Sequence, residues 1–215
     1  MTWLQDHRAE VLTLTVQHAY LAGVPLLLGL LLALPLGWLA RRYRVLYPPL
    51  IAGTGLFYTI PSLALFILLP GILHTQILDK TNVIVALTIY TVALLVRTVA
   101  DGLGAVPDEV NQAATAMGYK RVRRFFAVEL PLAVPVISAG LRVAAVSNVS
   151  IVSVAAIIGV SQLGQLFFDG YQRFFIDPII VGLVACMLLA LAFDLVIVFV
   201  TRLLTPWVRV RQAAS

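Results

Sequence analysis

Five apolar runs of roughly twenty residues each dominate this chain and leave it very few folds. They lie at about 18–40, 49–73, 82–100, 134–158 and 178–201. Inside hydrocarbon, each backbone N–H and C=O must find its partner within the protein, so runs of this length cross as helices. The pattern predicts an all-α, polytopic integral membrane protein of five spans, with residues 1–215 forming a single transmembrane domain. Charge supports this: 12% of residues are charged, against about 25% in a soluble domain. The second run is the least uniform, because Pro61 and Pro70 interrupt it and are expected to kink its helix. The opening MTWLQDHRAE lacks the basic-then-apolar order of a cleavable signal, so the first span is expected to be retained.

The loops set an expected orientation. Arg41, Arg42 and Arg44 follow the first run, and Lys120, Arg121, Arg123 and Arg124 lie between the third and fourth. Arg202, Arg209 and Arg211 follow the fifth. The alternate loops hold only Arg8, Lys80 and Arg173, each with acidic neighbours. The excess of cytoplasmic Lys and Arg then predicts an N-terminus outside and a C-terminus inside. The net charge of +5 belongs to these loops and does not call for nucleic acid as a partner.

Enzymatic readings find little support. The chain has no G-x-x-x-x-G-K-[ST], no H-E-x-x-H and no G-x-S-x-G. His7, His18 and His74 are not at ligand spacing, Cys186 is alone in an apolar run, and no metal site is expected. No catalytic residue is assigned.

One polar, basic island, 105–131, breaks the apolar pattern. Pro107, Asp108 and Glu109 make a good helix start. Val110, Ala113, Ala114 and Met117 follow at i, i+3, i+4, i+7, so one shallow face is apolar. Gly118 is the expected helix stop. A second short basic helix over 120–130 should end at Pro131 and Pro135, which redirect the chain into the fourth span. On pattern alone, such a hairpin either docks a partner or lies on anionic lipid.

The island resembles the EAA loop of binding-protein-dependent, type I ABC importer permeases. That consensus is E-A-A, three residues, G, a longer spacer, then an apolar residue and L-P. Here Gln112-Ala113-Ala114 precede Thr115-Ala116-Met117, then Gly118, and later Leu130-Pro131. Gln112 replaces the usual glutamate, which removes a charge. The resemblance implies that the loop is a coupling helix docking a cytoplasmic ATPase. Its coupling residues would be Glu109, Gln112, Ala113, Ala114, Met117, Gly118, Tyr119, Arg121, Arg124 and Pro131. Tyr58-Thr59-Ile60-Pro61-Ser62-Leu63-Ala64-Leu65, and the stretch 151–164, are similar to permeases for glycine betaine, choline, carnitine and related quaternary amines. The implied partners are two ABC ATPase subunits, a second permease copy or paralogue, an extracytoplasmic substrate-binding protein and the bilayer. ATP and magnesium would reside on the ATPase, and this chain would need no cofactor. A bacterial or archaeal cytoplasmic membrane is the expected location. A permease for another small amino-acid-like solute, an ATPase-independent secondary transporter and a lipid-binding scaffold are the alternatives.

Within the spans, Tyr58, Pro61, Ser62, Ser147, Asn148 and Ser150 are candidates for lining the translocation path. The serines and Asn148 serve equally for hydrogen bonds across helices. Tyr58 and Tyr90 are candidates for cation–π contact with a quaternary ammonium, or for packing. Asp194 is the only acidic residue well inside a span and needs a partner, expected to be Arg142 or, failing that, Arg97. That pair would act as a gate or as a brace. Gly29, Ala33 and Gly37 recur every fourth residue and suit close helix packing. The loop 161–178 falls outside, where its aromatics suit the bilayer surface or the binding protein.

Overall fold

The computed structural model describes residues 2–43 and 45–207. Arg44, Arg209 and Arg211, counted above among the basic clusters, lie outside the described residues. Helix α1 covers Thr2–Asp6 and α2 runs Arg8–Arg42. Next come α3, Tyr47–Thr59, and α4, Ser62–Leu73. Then α5 is Lys80–Gly104, α6 Asp108–Ala116 and α7 the short Arg121–Arg124. A π-helical turn, Phe125–Glu129, passes into α8, Leu130–Val152, which tightens to a 3-10 segment over Ser153–Ile158. Helix α9 is Gly164–Gln172 and α10 is Ile176–Leu204. No strand occurs among the described residues.

Four continuous helices, Arg8–Arg42, Lys80–Gly104, Arg121–Ile158 and Ile176–Leu204, are long and apolar enough to cross a membrane. The second apolar run is different: α3 and α4 meet at 100°, far more than a proline kink. The break falls at Ile60, whose extended φ −67, ψ 129 is what a following proline imposes. The carbonyl this frees accepts a hydrogen bond from Tyr90 Oη on α5. Pro70, by contrast, sits inside α4 without ending it. The count is therefore four spans, or five if the broken pair is one span.

Pro131 and Pro135 also depart from expectation. They neither end a separate helix nor redirect the chain, because Arg121–Ile158 is one unbroken 38-residue helix. The π turn explains how. Leu130 N–H bonds to Phe125 O, five residues back, so the wider turn seats Pro131 without the clash an α-helical ladder would impose.

Helix α5 is the centre of the bundle, with Leu87, Leu95, Val96 and Val99 fully buried. The small-residue ridge Gly29, Ala33, Gly37 of α2 lies directly on it, within the same chain. A Cβ on Gly37 would stand 2.6 Å from Val99 Cβ, and one on Gly29 would collide with Thr91. Gly140 brings α8 equally close to Thr98. Helix α10 lies at the edge of the bundle, with most of its apolar surface exposed.

Candidate functional site

The island forms a compact hairpin on the end of the bundle. Pro107 is extended, and α6 begins at once with Asp108 and Glu109 beside its positive end. It ends in paired bonds, Tyr119 N–H to Ala114 O at 3.1 Å and Gly118 N–H to Thr115 O at 2.9 Å. This is a Schellman closure, and it requires the left-handed φ of +82° found at Gly118.

The apolar stripe splits between two faces. Ala114 is buried and Val110 half-buried, with α6 packed on α7 and the π turn, whereas Ala113 and Met117 are exposed. The outer face of α6 is therefore Glu109, Gln112, Ala113, Ala116 and Met117, with the small side chains in the middle. Arg124 holds the inner side. Its Nε donates to Glu129 Oε1 at 2.7 Å and its Nη1 donates to Thr115 Oγ1 at 2.9 Å. Arg123 lies over the Tyr119 ring at 4.7 Å, and Arg121 is exposed. Phe125 meets Trp38 of α2 edge-on at 6.0 Å, which fixes the hairpin base to the first long helix. Nearby, a hydrogen bond from Arg42 and its positive charge hold the Tyr43 phenol below its ordinary pKa. The half-buried Pro131 lies in the first turn of α8.

The residues considered for a path divide into two groups. At the α3–α4 break, exposed Tyr58 and Pro61 and half-buried Ser62 lie together, with Tyr58 edge-on to Tyr90 at 5.8 Å. Tyr90 is itself buried and engaged with Ile60. On α8, Ser150 is exposed and Ser147 half-buried. Asn148, however, is buried in the helix packing. Its Nδ2 donates to Thr91 Oγ1 at 3.0 Å and Ala22 O at 3.3 Å, tying α8 to α5 and α2.

Arg142 and Asp194 meet as a two-point ion pair between α8 and α10, at 2.5 and 2.9 Å. Arg97 faces Asp101 instead, at 3.6 Å. A further polar cluster escaped the sequence reading. His18 is fully buried, with Nε2 2.9 Å from Val149 O and Nδ1 3.1 Å from Gln162 Oε1. Gln162 Oε1 also accepts from Gly164 N–H, so this cluster ties α2 to the start of α9. His18 beside Gln17 and Gln162 beside Ser161, each near one end of an apolar run, were the only signal available.

A family model described as "Binding-protein-dependent transport system inner membrane component" matches residues 26–210. The chain is 32% identical over 208 residues to OsmW of Salmonella typhimurium, an osmoprotectant import permease protein, covering 95% of this chain and 96% of the relative. It is 31% identical over 209 residues to OpuCB of Bacillus subtilis, a glycine betaine/carnitine/choline transport system permease protein, covering 96% and 94%. It is 32% identical over 207 residues to the choline transport system permease protein OpuBB of Bacillus subtilis, covering 95% and 93%. A chain of the MetNI methionine ABC transporter, solved in inward-facing conformations, matches the fold with TM-score 0.83 at 21% identity, covering 93% and 98%.

Proposed function

Because the chain belongs to the family of binding-protein-dependent transport system inner membrane components, we propose that it is the permease subunit of an ATP-driven importer for a small osmoprotectant. Glycine betaine, choline, carnitine and proline betaine are the substrate class. The observation that carries this reading is near full-length identity of 31–32% to permeases named for such solutes.

In this reading the arginine end of the bundle is cytoplasmic and the N-terminus is outside, following the loop charges. Two such permeases, identical or paralogous, form the path, and an extracytoplasmic binding protein delivers the solute. One ATPase subunit docks on each hairpin and holds the ATP and magnesium. The permease itself hydrolyses nothing. Helix α6 suits docking because its outer face is shallow at Ala113 and Ala116 and exposed. Movement of the docked ATPase then passes through Arg124 and Glu129 into α8. Tyr58, Pro61, Ser62, Ser147 and Ser150 are the path candidates, and the Arg142–Asp194 pair braces α8 on α10. The cytoplasmic membrane of a bacterium or archaeon is the location.

The test is reconstitution in proteoliposomes with the ATPase and binding protein encoded alongside. ATP-dependent uptake of labelled glycine betaine or choline is expected. Failure to associate with the ATPase overturns the importer reading. Association with ATP-driven uptake of a different solute overturns only the substrate.

A further inference from the structure

Two cavities meet at Trp38. The first is an apolar groove of about 390 Å³ between α2 and the α7–α8 segment, with Leu31, Pro35, Val122, Phe126 and Leu130 on its walls. The second, about 240 Å³, carries Arg41, Arg42, Asn111, Arg124 and Glu129. They lie side by side on Trp38, one greasy toward the spans and one basic toward the hairpin. Tryptophan at such a junction is typical of the membrane–water interface.

The basic part carries cations without a counter-charge, although Arg42 also donates to the Tyr43 phenol. Arg124 is committed to Glu129. Arg41 and Arg42 have no carboxylate partner among the described residues. Arg42 is stacked 5.5 Å over the Trp38 ring, at the wall the two cavities share. Arg41 lies along Gly104, where a Cβ would stand 3.5 Å from its Nε. Asn111 Oδ1 is buried and has no hydrogen-bond partner, a condition that calls for a donor.

We propose that the two cavities bind one anionic phospholipid with a hydroxyl-bearing headgroup. The phosphate sits between Arg41 and Arg42, a headgroup hydroxyl donates to Asn111, and one acyl chain lies along the groove. Charge complementarity favours this occupant over a zwitterionic lipid, and the apolar groove favours it over a free anion. The lipid touches α2, α6 and the α7–α8 segment at once, so it stiffens the hairpin. This lipid site is independent of the transported solute.

The test is native mass spectrometry of the full chain in non-ionic detergent with phosphatidylglycerol, phosphatidylcholine or glycerol phosphate. The expected result is one phosphatidylglycerol retained under activation that strips phosphatidylcholine. Arg41→Gln with Arg42→Gln should lower that retention about tenfold or more and leave phosphatidylcholine unchanged. Leu31→Trp fills the groove from a position 70% exposed, so it spares the core and the charges. It should also lower phosphatidylglycerol retention, and it decides the matter if the arginine variant misfolds. Equal retention of both lipids by the native chain, or undiminished retention in Leu31→Trp, overturns the proposal. Glycerol phosphate competing as well as the intact lipid overturns it in favour of a soluble-anion site. No phosphatidylglycerol retained by the native chain also overturns it.

Discussion

Arg124 and Glu129 face each other across the π-helical turn at 2.7 Å, and the same guanidinium reaches back to Thr115 on α6. One side chain thus joins the docking helix to the start of the 38-residue helix Arg121–Ile158. Arg124→Gln should loosen α6 while leaving the bundle intact. Amide exchange over 108–119 should speed up with little change in thermal unfolding. Unchanged exchange would show that backbone bonds alone hold the hairpin.

Gly118 is the second control point. A Cβ there would touch nothing within 4 Å, so any penalty of substitution comes from its φ of +82° alone. Gly118→Val should cost about 1–2 kcal/mol locally, and Gly118→Asn distinctly less. ATPase affinity of the two variants, measured in detergent, should follow that order. Equal behaviour of Val and Asn would remove the backbone explanation.

The α2–α5 contact should be intolerant in a graded way. Gly37→Ala places a methyl 2.6 Å from Val99 Cβ, and overpacking of this kind costs about 1–3 kcal/mol. Gly53→Ala, with nothing within 4 Å, should be nearly neutral. Val99→Ala removes Cγ1, also at 2.6 Å, but keeps Cβ, so it should restore only a minor part of the loss in Gly37→Ala, as read by unfolding in mixed detergent.

For the Arg142–Asp194 pair, each single neutralisation strands the other charge within an apolar segment. Asp194→Asn and Arg142→Gln should each lower folded yield, and the exchanged pair Arg142→Asp with Asp194→Arg should recover it. Normal yield with altered uptake in the singles would instead mark the pair as a gate.

Asp79 supplies a pH test. Its carboxylate accepts the Thr81 N–H at 2.8 Å at the start of α5, and that bond holds its pKa below the ordinary value. A depressed folded pKa gives stability that is present above the unfolded value and lost as pH falls through the folded one. Amide protection at Thr81 should therefore drop in acid below the ordinary aspartate range, near 3.9, and the drop should be absent in Asp79→Asn.

These tests also separate what the residue pattern reveals from what it hides. The helices are legible because twenty apolar residues in hydrocarbon have no other solution, and the stop at Gly118 follows from a local backbone requirement. The 100° break at Ile60 is only half legible. Pro61 marks the place, but the group that satisfies the freed carbonyl, Tyr90, lies thirty residues away. Pro131 misleads because a single extra residue in the preceding turn cancels its usual effect. The His18–Gln162 bond joins residues 144 apart and Asn148–Thr91 joins residues 57 apart. Neither pairing carries any periodic signature.

The unbroken passage from Arg121 to Ile158 has a mechanical consequence. Thirty-eight helical residues make a rod roughly 57 Å long at 1.5 Å per residue, pinned near its middle where Gly140 sits tight on Thr98. Such a rod is a lever with its fulcrum inside the bundle. A small push at the arginine tip tilts the opposite end the other way by a similar amount, through a wider π turn near one end and a tighter 3-10 turn near the other.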